Sequence, residues 1–281
     1  MTVGIGIIGG GFVGGALKFG FEDLVETRVY DTKPDICTHS LEETVLKSKY
    51  IFVCVPTPMN KSLEGKADDR IILSALSQID KLIKDTDQKI LVIKSSVPPG
   101  SMEKFSHLYP SLRFVFNPEF LTEKNAKDDF INCSRIVLGG SKKDTLEVAD
   151  LYRARFPDTK IIETDYQTSQ FIKYLANCFF AVKVSYMNEM YQLAKELNID
   201  WEKAVEGFSA DRRVGQSHLS VPGPDGSLGF GGKCFPKDIN AIIHVMRGLD
   251  LDPIVLQSAW QKNLEVREDK DWESIIGATS E

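Results

Sequence analysis

Apolar residues along the chain switch between two periods. Residues 2–8 form a nearly unbroken β-branched and apolar run that stops at Gly9-Gly10-Gly11. Beyond the glycines, Val13, Leu17 and Phe21 recur at the spacing of a helix face. Residues 27–30 return to strand composition. The alternation continues, with strands predicted at 50–55, 90–93, 112–116, 135–138 and 160–162 and helices at 71–83 and 144–155. Strands alternating with helices predict an α/β fold, a Rossmann-type doubly wound parallel sheet. After residue 164 the strand period disappears. Phe171, Tyr174, Leu175, Cys178, Val182, Tyr186, Met190, Leu193 and Leu197 keep a helical period. They predict a long helix that founds an all-α second domain and offers a dimer interface. A short helix at 201–208, a Gly- and Pro-rich loop at 211–232, helices at 236–247 and 253–267, and a loosely held polar tail at 269–281 complete the reading.

Composition narrows the class. The 281 residues are 42% hydrophobic and 26% charged, ordinary values for a globular protein with ample length for a core. The formal net charge is −6 with no basic run, which argues against nucleic acid as a partner. The N-terminus lacks a basic start and a small-residue cleavage site, and no apolar run reaches membrane-spanning length. Five scattered cysteines and four histidines show neither paired nor metal-ligand spacing. A reducing, cytoplasmic setting without a membrane anchor or structural metal is expected.

Three stretches carry candidate chemistry. Gly9, Gly11, Phe12, Val13 and Gly14 form a strand–glycine turn–helix, the context that a dinucleotide pyrophosphate requires. Gly4, Gly6 and Gly9 match the bare pattern too, but inside the strand. Asp31 ends the second predicted strand, where a carboxylate accepts from the adenosine ribose and repels a 2′-phosphate. Residues 1–164 are therefore expected to bind NAD in preference to NADP, and residues 165–281 to form the helical domain. Three polar clusters fall at predicted strand ends: Pro56-Thr57-Pro58, Ser95-Ser96-Val97-Pro98-Pro99-Gly100 and Asn117-Pro118-Glu119. Each alone suits a turn; together on one sheet edge they suggest a cleft wall. Lys173 and Asn177, four apart, share one face of the long helix.

The third stretch is Gly229-Phe230-Gly231-Gly232-Lys233-Cys234-Phe235-Pro236-Lys237-Asp238. Proline favours the first helical position, so a helix is expected to begin at Pro236 with Cys234 just outside it. Unpaired N–H groups, the helix dipole and two flanking lysines would lower the thiol pKa toward a reactive thiolate. The glycines before it leave room for a substrate.

With these motifs, and with Cys54-Val-Pro-Thr-Pro58, Lys94-Ser-Ser-Val-Pro-Pro-Gly100, Asn117-Pro-Glu-Phe-Leu121, Ile172-Lys-Tyr-Leu-Ala-Asn177 and Asp211-Arg-Arg-Val-Gly215, the chain resembles the UDP-glucose/GDP-mannose dehydrogenase family from Gly6 to about Asn263. The resemblance implies a four-electron, NAD-dependent oxidation of a nucleotide sugar at C6, UDP-glucose to UDP-glucuronate foremost, as in polysaccharide-precursor synthesis. It implies Cys234 as the nucleophile, Lys173 and Asn177 at the oxyanions, and Asp238 or Glu119 as the base that orients water, with Ser96 standing where the family has threonine. Pro56, Thr57, Ser95, Ser96 and Glu123 would join the glycine turn and Asp31 around NAD. Phe120, Leu121, Lys173, Asn177, Arg213, Phe230 and Gly231 would contact the substrate, Arg213 by reaching to a neighbouring subunit of a homodimer. Lys124 and Lys233 replace smaller residues, and the loop around Asp225 is longer than usual. Typical members continue into a third domain that grips UDP, so a short form is expected. GDP-mannose or UDP-N-acetylmannosamine as substrate, a two-electron β-hydroxyacid dehydrogenase, and a non-catalytic NAD-binding protein stay open.

Overall fold

The computed structural model describes residues 4–63, 65–84 and 88–280. Thr2 and Val3 of the predicted first strand and Glu281 of the tail lie outside the described residues. The chain forms two compact units, Met1–Thr57 with Asp69–Lys173, and Pro58–Asp68 with Tyr174–Glu281. A single division at 164/165 does not contain the excursion of Pro58–Asp68 into the second unit.

In the first part of the chain run β1 (Ile5–Ile8), α1 (Phe12–Phe21), β2 (Thr27–Tyr30), α2 (Leu41–Leu46) and β3 (Tyr50–Val53). The short β4 (Met59–Asn60) belongs to the second unit. The first unit then resumes with α3 (Arg70–Asp80), β5 (Ile90–Ile93), α4 (Ser101–Leu108), β6 (Arg113–Phe116), α5 (Ala126–Ile131), β7 (Arg135–Gly140), α6 (Lys142–Arg155) and β8 (Lys160–Thr164). Its seven strands lie in the order β2-β1-β3-β5-β6-β7-β8.

Alternate residues of the central strands feed two separate cores. Ile5, Ile7, Phe52, Val92 and Val115 face one side, packed with Leu17 and Phe21 of α1 and Val148 and Tyr152 of α6. Ile8, Ile51, Val53, Leu91, Ile93 and Phe114 face the other, packed with Val45, Ile72, Leu76 and Phe105. A strand buried on both faces has no polar alternation to show, which is why these segments read as continuous apolar runs. The sheet departs from the all-parallel expectation at one pair. Val115 and Phe116 pair antiparallel with Gly140 and Gly139. The link after β6 contains only loop and the short α5, which packs on α1, so the chain re-enters the sheet from the end it left.

The second unit is helical. It comprises the greater part of α7 (Tyr166–Glu196), then α8 (Trp201–Ser209), α9 (Cys234–Gly248) and α10 (Ile254–Val266). Segment 211–232 contains no helix or strand, as expected, yet Leu219 and Val221 within it are buried against Met187. The tail differs from its expectation. Trp272 is 3% exposed and packs with Met59 and Ala278, and β9 (Thr279–Ser280) pairs parallel with β4. Its apolar anchors are too few to show a period, so only burial reveals that it is held.

Candidate active site

The glycine turn lies where the strand order changes direction, beyond the C-terminal ends of β1 and β3. A Cβ on Gly9 would sit 2.8 Å from the Cys54 carbonyl oxygen, and one on Gly14 would sit 2.0 Å from that of Gly9. Only glycine permits these approaches. A Cβ on Gly11, by contrast, meets nothing within 4 Å, and Gly11 caps α1 without a side-chain hydrogen bond. Gly11 is exposed at the N-terminus of α1, ahead of Phe12 and Val13, and the start of a helix is where a pyrophosphate is received.

Asp31 is bonded into this turn. Its Oδ2 accepts from the Gly10 N–H at 2.7 Å and its Oδ1 from the Lys33 N–H at 2.9 Å. Cys37, which spacing did not single out, backs the carboxylate's own backbone: the Asp31 N–H donates to Cys37 Sγ at 3.3 Å, and the thiol donates to the Asp31 carbonyl at 3.3 Å. An open helix start, glycines at the close approaches and a carboxylate at the end of β2 fit a dinucleotide. The loops after β3 and β5 form the neighbouring wall. Thr57 Oγ1 donates to the Ser96 carbonyl at 2.7 Å, and Ser95 Oγ to the Val55 carbonyl at 2.7 Å. These hydroxyls lock the two loops together; Pro56 and Ser96 lie on them, Ser96 half-buried.

The loop after β6 carries Glu119. Lys173 Nζ donates to Glu119 Oε1 at 2.9 Å and to the Glu119 carbonyl at 2.6 Å, with the two residues 2% and 5% exposed. Glu119 Oε2 accepts from the Leu121 N–H at 2.7 Å. Phe120 lies between two cations, with the Arg135 guanidinium 4.0 Å and Lys173 Nζ 5.4 Å from its ring centre. A cavity of about 340 Å³ lies beside this loop, lined by Asn117, Glu119, Phe120, Asp129, Arg135 and Tyr152 among others. Glu123 is exposed further along the chain.

Beneath the loop sits a buried group that sequence spacing missed. Lys94 Nζ donates to Asn117 Oδ1 at 3.0 Å and to its carbonyl at 3.3 Å, Asn117 Nδ2 donates to the Val137 carbonyl at 2.9 Å, and the Tyr152 hydroxyl donates to Asn117 Oδ1. Asn117 is thereby held from β5, β7 and α6. Desolvation pulls Lys94 down to about 8 and pushes the neighbouring Cys54 thiol up to about 12. The available signal in the sequence is a lysine directly after an apolar strand, ahead of Ser95 and Ser96.

In the second unit, Asn177 Nδ2 donates to Asp238 Oδ2 at 2.6 Å, and Lys237 Nζ pairs with Asp238 Oδ1. Asp238 is fully buried. Burial first, and the Asp238 charge second, hold the Tyr174 phenol protonated well above its ordinary range. Cys234 is the first residue of α9, with Lys233 at the N-cap, so the helix begins two residues earlier than Pro236 suggested. Proline fits inside the first turn because its missing N–H is unpaired there anyway. Cys234 is half-buried.

The glycine approach to Cys234 has its backbone held by side chains. Asn188 Oδ1 accepts from the Gly229 N–H at 3.0 Å, and Asn263 Oδ1 accepts from the Phe230 N–H at 2.6 Å while its Nδ2 donates to the Phe230 carbonyl at 3.0 Å. Phe230 itself is 4% exposed and packs in the core with Cys178 and Ile239. Its ring packs in the core and both its backbone polar groups are bonded within the chain. Arg213 is exposed and folds back on Asp211, with Nε 3.0 Å from both carboxylate oxygens.

Glycines and a carboxylate at the switch point of a doubly wound sheet define a dinucleotide-binding protein. The chain belongs to the UDP-glucose/GDP-mannose dehydrogenase family: residues 19–155 match that family's NAD binding domain and residues 167–265 its central domain. It is 36% identical over 218 residues to UDP-glucose 6-dehydrogenase of Rickettsia conorii, covering 76% of this chain and 48% of that protein. It is 31% identical over 235 residues to UDP-glucose 6-dehydrogenase TuaD of Bacillus subtilis, covering 81% and 49%. The chain thus spans about half the length of these relatives. A solved UDP-glucose dehydrogenase from Pyrobaculum islandicum superposes with a TM-score of 0.83 at 27% identity, over 94% of this chain and 68% of that one. Among the described residues, no helix is long and apolar enough to cross a membrane, and no cluster of His, Cys, Asp and Glu could hold a metal.

Proposed function

We propose that this protein catalyses the NAD-dependent, four-electron oxidation of a nucleotide sugar at C6, with UDP-glucose as the favoured substrate and the uronate as product. The observations that carry the reading are a buried polar couple in each unit, Lys173 with Glu119 in the first and Asn177 with Asp238 in the second, and, in the second, a half-buried Cys234 at the start of α9. Polar groups buried at this cost serve binding or chemistry more readily than stability.

NAD+, when bound, would supply the hydride acceptor for each of the two oxidations. Gly11 and the start of α1 would hold its pyrophosphate, and Asp31 its adenosine ribose, with Thr57, Ser95 and Ser96 shaping the wall of the site. Cys234 adds its thiolate to the aldehyde carbon left by the first oxidation, forming a thiohemiacetal; the second oxidation leaves a thioester. Water cleaves the carbon–sulfur bond, returning the thiol and releasing the carboxylate. Lys173 and Asn177 stabilise the oxygen that bears charge along this course, and Asp238 or Glu119 takes the proton from water. Phe120, Leu121, Glu123, Gly231 and Arg213 stand as substrate and cofactor contacts in this reading.

On the second unit's share of α7, Leu175, Phe179, Tyr186 and Leu193 are exposed and recur at helical spacing, with exposed Leu197 just past the helix end. A contiguous apolar stripe of this kind calls for a partner, and a second copy of the chain, paired through α7, is the proposed one. The deciding experiment is NADH release with UDP-glucose, GDP-mannose, UDP-N-acetylmannosamine and UDP-galactose. Two NADH per sugar supports the proposal. One NADH per molecule would mark a two-electron dehydrogenase, and NAD binding without turnover a non-catalytic protein.

A further inference from the structure

The structure assigns Asp271, in the C-terminal tail, as a positioning residue for the Cys234 loop. This inference rests on the reading of Cys234 as the nucleophile. Asp271 lies in a short 3-10 turn, Asp271–Glu273, where its sequence context is merely polar. Its carboxylate accepts the Gly232 N–H with both oxygens, Oδ1 at 3.1 Å and Oδ2 at 3.0 Å. Gly232 is two residues before Cys234 and has a positive φ of 70°, a conformation glycine adopts as one of several open to it, so the bond to Asp271 selects it.

The carboxylate is itself fixed by Arg267, which is 3% exposed. Arg267 Nη2 stands 3.2 Å from Asp271 Oδ2 and 2.8 Å from Asp225 Oδ2, and Nε donates to the Asp269 carbonyl at 2.8 Å. A buried guanidinium left without a carboxylate is costly, and Arg267 has two, Asp225 and Asp271. A Cβ on Gly231 would sit 2.2 Å from Arg267 Nη2 and 2.4 Å from Asp271 Oδ1, so this pair packs directly against the glycine backbone. The tail and the loop at Asp225 are therefore tied, through one arginine, to the two residues that lead into Lys233 and Cys234. Asn188, Asn263 and Asp271 together take the N–H groups of Gly229, Phe230 and Gly232. Of these three, Asp271 takes the N–H nearest the thiol in the chain, that of Gly232, and is the one that brings a charge.

The test compares Asp271→Ala with Asp271→Asn. Asparagine retains an oxygen acceptor for Gly232 and removes the charge; alanine removes both. The alkylation rate of Cys234 by iodoacetamide, read by mass spectrometry against the other four cysteines, is measured first because it requires no turnover. Asp271→Ala should alkylate about tenfold more slowly than Asp271→Asn, and its kcat should fall by a similar factor with KM for NAD+ unchanged, since an ångström-scale misplacement of a reacting group costs this much or more. Equal alkylation and kcat in the two variants would overturn the assignment. So would losses in both variants that simply follow a fall in melting temperature. If wild-type protein shows no turnover, the nucleophile reading fails while the alkylation contrast still decides the role of Asp271.

Discussion

Lys173 and Glu119 form a buried ion pair in which the lysine donates both to the carboxylate, at 2.9 Å, and to the same residue's backbone carbonyl, at 2.6 Å. The double contact fixes the loop after β6 to α7. It also ties the proposed oxyanion-stabilising cation to the proposed base, so removing one partner disturbs the other.

Lys173→Ala should therefore have two separable effects. Turnover should drop on the order of a hundredfold, the usual result of deleting one oxyanion donor. Stability should fall by roughly 3–5 kcal/mol because Glu119 is left buried without its cation. Adding Glu119→Gln to Lys173→Ala should restore much of the stability and none of the activity. Urea denaturation and NADH release measure the two effects; activity within a few-fold of wild type in Lys173→Ala would remove the lysine from the chemistry.

Asp31→Ala should weaken NAD+ binding and narrow the preference over NADP+. In the proposed reading the carboxylate supplies an acceptor and a repelling charge at the ribose, and it also accepts the Gly10 N–H at 2.7 Å. The loss should therefore exceed that of one ribose contact. Asp31→Asn keeps an acceptor for Gly10 while losing the charge, so it should narrow the preference with a smaller loss of NAD+ affinity. Calorimetric titration with both nucleotides is the check, and unchanged affinity in Asp31→Ala would place the ribose elsewhere.

Much of this was legible from the chain because the same residues serve fold and chemistry. The glycine turn announces itself since Gly9 and Gly14 touch backbone that no Cβ could approach. The strands show as apolar runs because both sheet faces are covered. Helix α2 was overlooked although Ser40 and Glu43 form a capping box, since its six residues are too few to show a period. The antiparallel turn into β7 leaves no trace in periodicity, which is the same for either strand direction. Lys94, Asn188, Asn263 and Asp271 were illegible as supports for another reason. Each acts on backbone distant in sequence, and no local pattern encodes which carbonyl or N–H a polar side chain will meet.

Lys94 gives a pH signature of stability. Its folded value is pulled down to about 8 from an ordinary 10.5 by burial, with Cys54, Glu119, Cys133 and Lys173 as the charged or titratable neighbours. Between these values the unfolded chain binds the proton and the folded chain does not, so this residue's contribution to stability rises with pH. Below pH 8 the full cost of a buried charge is present, about 3 kcal/mol. Cys54 acts in the opposite sense above pH 9, because its folded value is pushed up to about 12. Urea midpoints for wild type and Lys94→Met should thus converge or cross as pH rises from 7 to 9, Lys94→Met losing its relative advantage. A pH-independent difference would show that Lys94 stays charged throughout.

Cys234→Ser separates the possible mechanisms most cleanly. Serine keeps the size and a hydrogen-bonding atom at the start of α9 but replaces a thiolate with a far weaker nucleophile. If the sulfur carries the intermediate, steady formation of the uronate should collapse. NAD+ affinity should change little, because in the proposed reading the glycine turn of the first unit holds the pyrophosphate. Wild-type protein should release two NADH per sugar with no free aldehyde, since the thiohemiacetal retains it for the second oxidation. Brief iodoacetamide treatment at neutral pH should label Cys234 ahead of Cys178 and Cys54, whose thiols burial pushes up to about 12, and bound substrate should protect it. Should Cys234→Ser still form the acid at a near wild-type rate, no covalent sulfur intermediate is on the path. The residue would then be a small side chain that lets the glycine backbone turn into α9.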